Sequence, residues 1–212
     1  MRVTRIAVLL FLVLSASAAL AQVNDTYVIP VAGNTLGAFG TRWMTQFSVF
    51  NPQSYELRVS VTYVPTLGGR GIEKILRVPA NAIAFTDNIL SDLFSVQGTG
   101  ALLLATFPED NPGVPNTVLA RAFLVTTNTF NNSSSGTYGQ TIPGIWAGLQ
   151  DFNRDGISAV AHGIRNLSSQ GWRANVGAVN LGRGSVTMRL NVYDIDGNVV
   201  ARNIPFTIPP LA

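Results

Sequence analysis

No cysteine occurs anywhere in the 212 residues, which removes disulfides, thiolate zinc sites and cysteine nucleophiles together. Lysine is present once, as Lys74, and histidine once, as His162. Any histidine-based acid–base or triad chemistry would therefore have to pass through His162, and no G-x-S-x-G surrounds a candidate serine. Charged residues make up only 12% of the chain, and the arginines are scattered rather than clustered. A chain without a basic stripe lacks the electrostatic footprint that nucleic-acid binding requires, so no nucleic-acid partner is expected. Long apolar runs are missing too. Ile6 to Leu14 is too short for a bilayer, which needs roughly 20 apolar residues.

That short run does carry meaning. Arg2 and Arg5 precede it and Ala19-Leu20-Ala21 follows it, the layout of a secretory signal over residues 1–21. Cleavage after Ala21 leaves Gln22 first and no membrane span. It takes Lys+Arg from 14 to 12 against 11 acids, a net charge of 12 − 11 = +1. An exported protein, periplasmic or extracellular, is expected, held together by core burial alone.

What the chain has in abundance is alternation. Trp43, Thr45, Phe47 and Val49 share one strand face, and Leu57, Val59, Val61 and Tyr63 alternate with Arg58, Ser60 and Thr62. Ile72 to Val78, Ile83 with Phe85, Ala101 to Phe107 and Val118 to Thr127 read as further strands. Asp87 is placed to cap one helical turn, Asn88 to Phe94. With Tyr27 to Ala32 this makes seven short strands, the pattern of an immunoglobulin-like β-sandwich over residues 22–130 with Trp43 as the expected core anchor. The Ser/Asn/Gly-rich stretch that follows predicts a linker or long loop, 131–155.

Beyond the linker the pattern restarts. A shift of 156 − 27 = 129 positions lays Tyr27–Asn51 over Gly156–Asn180, matching Val31-Ala32 with Val160-Ala161, Trp43 with Trp172, and Asn51 with Asn180. Val186, Met188, Leu190 and Val192 then take the places of Leu57, Val59, Val61 and Tyr63. After one inserted residue, Phe206, Ile208 and Pro209 match Leu76, Val78 and Pro79. The reading is a partial second Ig-like repeat over 156–212. Three explanations suit a half unit: a truncated frame, which is favoured here, docking on the first domain, or strands taken from another chain.

The string Tyr27 to Asn51, with its Ile-Pro-Val-Ala-Gly and Trp-x-Thr, and the later Gly136-Thr137-Tyr138-Gly139-Gln140-Thr141-Ile142-Pro143 resemble a group of uncharacterised secreted bacterial proteins with repeated Ig-like β-sandwich domains. The resemblance implies fold and export. It carries over no functional residue.

Candidate sites are few. Asp151-Phe152-Asn153-Arg154-Asp155-Gly156 sets three oxygen-bearing side chains, Asp151, Asn153 and Asp155, on one loop as calcium ligands would stand. Ala159 and His162 occupy the positions where a calcium loop would continue its ligands, so a polar turn is the competing reading. Asp194-Ile195-Asp196-Gly197-Asn198 reads as a hairpin turn. Carboxylates for a glycosidase pair sit mainly in turns and loops, at Glu56, Glu109, Asp110, Asp151, Asp155, Asp194 and Asp196, and none falls in an aromatic-lined pattern that would suggest a substrate cleft. Trp146 stands outside the strand pattern, where it would pack the linker against the sandwich or stack on a ligand. No catalytic residue emerges and no enzyme is expected. The leading expectation is a secreted structural or interaction module of the cell surface that meets other envelope or extracellular proteins through loops or edge strands. The alternative is a carbohydrate-binding module, calcium-stabilised through Asp151–Asp155.

Overall fold

Strand propensity and period-two burial decide the architecture. The computed structural model describes residues 26–37, 40–117, 119–133, 136–147, 161 and 176–210. The signal segment, the Asp151–Asp155 loop, His162 and Trp172 lie outside the described residues. The strands are β1 (Thr26–Leu36), β2 (Arg42–Phe50), β3 (Leu57–Pro65), β4 (Ile72–Val78), β5 (Ile83–Thr86), β6 (Gly98–Ala105), β7 (Leu124–Ser133), β8 (Gly136–Pro143) and β9 (Ile145–Trp146). A hairpin of β10 (Val186–Tyr193) and β11 (Val199–Ile208) follows. All pairings are antiparallel, and the described strands close no barrel.

The larger sheet runs β4-β3-β6-β1-β2-β7-β8, with β5 on β2 and β9 on β1. It folds over on itself as a β-sandwich-like pair of layers: β4, β3, β6 and the first half of β1 in one, and β5, β2, β7 and β8 in the other. β1 belongs to both. Its ladder to β6 is irregular between Ile29 and Ala32, where Pro30 has no N–H to contribute and so favours a break. Beyond that break Asn34, Thr35 and Leu36 pair with β2. A second crossing occurs at Gly144, between β8 on β7 and β9 on β1. A Cβ there would stand 2.5 Å from Val125 Cγ1, so only glycine lets the chain turn this close to β7.

The interior fills from both layers. Ile29, Leu57, Val59, Val61, Tyr63, Val78, Leu102 and Leu104 join Phe47, Val49, Phe123 and Ile142 in one buried cluster. The expected inward set holds for Thr45, Phe47 and Val49 in β2 and for Leu57, Val59, Val61 and Tyr63 in β3, with Arg58 and Thr62 half-buried opposite them, while Ser60 is buried as well. The helical turn is α1 (Ile89–Asp92), which buries Ile89 and Leu90.

Four expectations need correction. Trp43 is 37% exposed. It lies near the start of β2, where its indole sits over Gly37, so close that a Cβ on Gly37 would be 2.6 Å from its Nε1. Phe47, four residues on, is the deep aromatic anchor. Asn88, not Asp87, caps α1, with its side chain accepting from Ser91 N, while Asp87 accepts from Gln46 Nε2 at 3.2 Å. The strand expected to begin near Val118 starts only at Leu124, after a 3₁₀ turn, Leu119–Arg121. Within the expected linker 131–155, residues 131–133 continue β7 and residues 136–146 supply β8 and β9, while 148–155 lie outside the described residues. β8 is rich in Thr, Gly and Gln because, at the end of the sheet among the described strands, it has little beyond Ile142 to bury.

The C-terminal hairpin repeats local geometry seen in the sandwich. Asn51 Nδ2 donates to Tyr55 O, Val78 O and Pro79 O at 2.7, 3.0 and 3.1 Å, and its Oδ1 accepts from Gln53 N. Asn180 Nδ2 donates to Gly184 O, Ile208 O and Pro209 O at 2.8, 3.3 and 3.0 Å, and its Oδ1 accepts from Gly182 N. Leu57↔Val78 and Val59↔Leu76 in β3–β4 become Val186↔Ile208 and Met188↔Phe206 in β10–β11. The inserted residue is absorbed as a bulge: Leu190 pairs Ile204 and Val192 pairs Ala201, with Asn203 between them at φ 54°, a conformation asparagine tolerates.

Two measurements check this account. In urea unfolding, Phe47→Ala should cost about 3–5 kcal/mol, and Trp43→Ala clearly less. Asn51→Asp replaces a donor by a carboxylate facing three carbonyls, and should lower stability by at least about 1–3 kcal/mol. The same change at Asn180 should loosen the β10–β11 hairpin and leave the sandwich transition where it was.

Candidate functional site

The sequence-derived candidates do not converge. Asp151, Asn153 and Asp155 lie outside the described residues, as does His162. Trp146 sits in β9, paired with Tyr27 of β1. It is half-buried, and its Nε1 is buried without a hydrogen-bond partner among the described residues. Several described carboxylates are engaged structurally. Glu56 lies 3.7 and 3.8 Å from Arg58 and Arg77, Glu73 accepts from Ser60, and Asp92 accepts from Thr86. Among the described residues no group of three or more His, Asp or Glu side chains gathers as a metal site.

Among the described residues, three ionisable groups are shifted from their ordinary values. Burial pushes the Tyr63 phenol up, and its hydroxyl donates to Thr99 O at 3.0 Å. Burial and the carboxylates of Glu109 and Glu73 push Asp110 up, with Arg58 opposing. Asp194 moves the other way: the Asn198 side-chain amide and then its backbone N–H hold the carboxyl below the usual carboxylate range. Its Oδ1 accepts from Asp196 N and Asn198 N at 3.0 and 2.8 Å, and Oδ2 accepts from Asn198 Nδ2 at 3.0 Å. With Gly197 at φ 83°, this is the hairpin turn expected there.

One buried cation stands out. Arg121 is 1% exposed. Its Nη2 donates to Asn116 Oδ1 at 2.7 Å, its carbonyl accepts from Thr106 Oγ1, and Nε and Nη1 have no partner.

The surfaces offer more. β4 and β8 end the sheet, each paired on one side only among the described strands. β4 carries Glu73, Lys74 and Arg77, charges that discourage edge pairing. β8, Gly136–Pro143, carries none and exposes Tyr138. On the outer face of the second layer, cross-strand register brings Phe85, Ser48 and Thr126 into one row and Gln46, Asn128 and Thr141 into the next. These six side chains flank a shallow groove of about 330 Å³. Sequence reasoning missed it because its residues come from four strands separated by long intervals.

No helix among the described residues is long and apolar enough to cross a membrane. No family model and no curated protein matches the chain. The solved structure titled Thermotoga maritima 1070 is similar to it, with a TM-score of 0.42 and 8% identity, over 59% of this chain and 96% of that one.

The Asp194 turn gives a signed pH dependence. A carboxyl whose folded pKa is depressed stabilises at pH above its unfolded value of about 3.9, and that contribution is lost as pH falls through the lower folded value. Amide protection at Asn198 should hold at mildly acidic pH and fade below that point. In Asp194→Asn the acid-dependent step should vanish, as followed by NMR titration of the hairpin amides.

Proposed function

We propose that this chain is an exported, non-enzymatic interaction module built from immunoglobulin-like sandwich material, acting in the cell envelope or extracellular space. The observation that carries the reading is the open, uncharged edge of β8. Along it the outward backbone N–H and C=O groups pair with no described strand, and Tyr138 stands exposed. Such an edge takes an extended segment of a partner by strand addition, with main-chain hydrogen bonds supplying affinity and side-chain contacts supplying choice. Up to its closing Pro143, β8 carries neither charge nor proline, and among the described residues no strand pairs with its outer side, so it invites pairing in a way the charged β4 does not.

The Ig-like assignment draws support from the pairing of β2 with β5 in one layer and of β3 with β4 and β6 in the other. The strand arrangement departs from the usual one at its ends. Here β1 lies beside β6 and β7 beside β2, whereas in immunoglobulin domains the last strand flanks the β6 equivalent. A second, partial unit draws support from the matching bonds of Asn51 and Asn180 and from the shared register of β3–β4 and β10–β11. Five corresponding bonds or pairs, at an offset that changes only by the one residue the bulge absorbs, are hard to obtain from unrelated hairpins.

Crosslinking of the secreted chain in its native envelope, followed by identification of the partner, tests the reading. A defined partner should be captured, and Tyr138→Lys should abolish capture while leaving thermal unfolding unchanged. A monomer that captures nothing, or capture indifferent to Tyr138→Lys, overturns it.

A further inference from the structure

The outer face of the second layer holds a built surface distinct from the strand edges. Its floor is the ladder of β5, β2, β7 and β8. Neighbouring strands lie about 4.8 Å apart, and same-face residues along a strand about 7 Å apart. The register therefore sets side chains on a regular grid, with Phe85, Ser48 and Thr126 in one row and Gln46, Asn128 and Thr141 in the next.

The chemistry of that grid is uniform. All six side chains are uncharged, five of them carry hydroxyl or amide groups, and the sixth is a phenyl ring, Phe85, that is 60% exposed. Ser48 Oγ and Thr126 Oγ1 lie 2.8 Å apart. Only one proton can bridge them, so the second hydroxyl proton and further lone pairs point elsewhere. Gln46 spends an N–H on Asp87 at 3.2 Å and keeps its carbonyl oxygen. Asn128 is half-buried and Thr141 exposed, and neither side chain is engaged by a described residue. Beneath the groove the backbone groups of β2 and β7 are paired on both sides, so an extended peptide finds a strand to join only at the outer edges of this layer and not across its face.

We propose that this groove is a binding site for a neutral saccharide. A pyranose ring presents an apolar face of C–H groups and a rim of hydroxyls that both donate and accept. The face matches the exposed ring of Phe85, and the rim matches the mixed donors and acceptors of Gln46, Ser48, Thr126, Asn128 and Thr141. Charge complementarity selects against other ligands. With no cation among the six, an anionic polymer or phosphate gains nothing, and with Asp87 at the margin it is repelled. A volume of about 330 Å³ sits at the small end of ligand sites, which run from about 300 Å³ upward. That matches one or two sugar units of a chain passing over an open groove. The proposal does not rest on strand addition at β8, and it gives Phe85 the stacking role that Trp146 would carry in the carbohydrate-binding alternative.

Isothermal titration of the whole secreted chain with cellohexaose, maltohexaose and chitohexaose, with polygalacturonate as the anionic control, tests it. At least one neutral hexasaccharide should bind. Phe85→Ala should weaken that binding about tenfold, the loss expected for one aromatic contact. Asn128→Ala should weaken it to a smaller degree, and both variants should unfold at the wild-type temperature. Trp146→Phe should leave affinity unchanged, which separates this site from one built on Trp146. Four results overturn the proposal: no binding by any neutral hexasaccharide, binding of polygalacturonate alone, affinity indifferent to Phe85→Ala, or concentration-dependent self-association that Phe85→Ala abolishes in a chain that binds no sugar. The last would make the face a contact between copies.

Discussion

Without a disulfide, the two layers are held together by apolar side chains meeting across a dry interior. Phe47 and Val49 of β2 enter the same buried cluster as Leu57, Val59 and Val61 of β3 and Leu102 and Leu104 of β6. Each of these comes from alternate positions of its strand, so a one-residue slip in any ladder would turn an entire apolar set toward water. Register, and with it every surface feature discussed above, follows from that interior. The outer face that carries Phe85 and Ser48 is where it is because Phe47 and Ala84 face the other way.

Polar side chains secure what the apolar interior leaves loose. Asn51 gathers the end of β4, the turn after β2 and the approach to β3 with four hydrogen bonds. Asn111 does similar service on the other side of β3, exchanging bonds with the backbone of Arg58 and reaching Phe107 O. Asn34 links β1 to the segment after α1 through Val96 O, and accepts from Asn88. A buried amide that satisfies several backbone groups is specific in a way that apolar contact is not, since misplacement leaves donors and carbonyls unpaired. The recurrence of the Asn51 arrangement at Asn180 is therefore informative where the low identity of the two segments is not.

The exposed surface divides by chemistry. The β4 edge is guarded by charge and the β8 edge is not, while the groove between Phe85 and Thr141 is polar, uncharged and open. The two features share β8, which exposes Tyr138 at the edge and sets Thr141 beside the groove. The buried Arg121, by contrast, contributes from inside: it stiffens the loop between β6 and β7 through Asn116 and Thr106.

Much of this was legible from residue order. Period-two alternation identified β2 and β3 and which of their faces turns inward, because burial on one side of a sheet leaves that mark directly. The Asp-Gly turn at 194–198 and the match of Asn51 to Asn180 were likewise readable, since both depend on residues close together or at a fixed offset. Tertiary structure decided the rest. Whether Trp43 is covered depends on how far the opposite layer extends over the start of β2. Whether Asp87 or its neighbour Asn88 caps α1 depends on backbone angles. The strands at 136–146 carry loop-like composition because an edge needs few apolar residues, and only pairing with β7 and β1 reveals them. The groove joins residues 46, 85, 126 and 141, and only the folded ladder brings positions so distant along the chain onto one face.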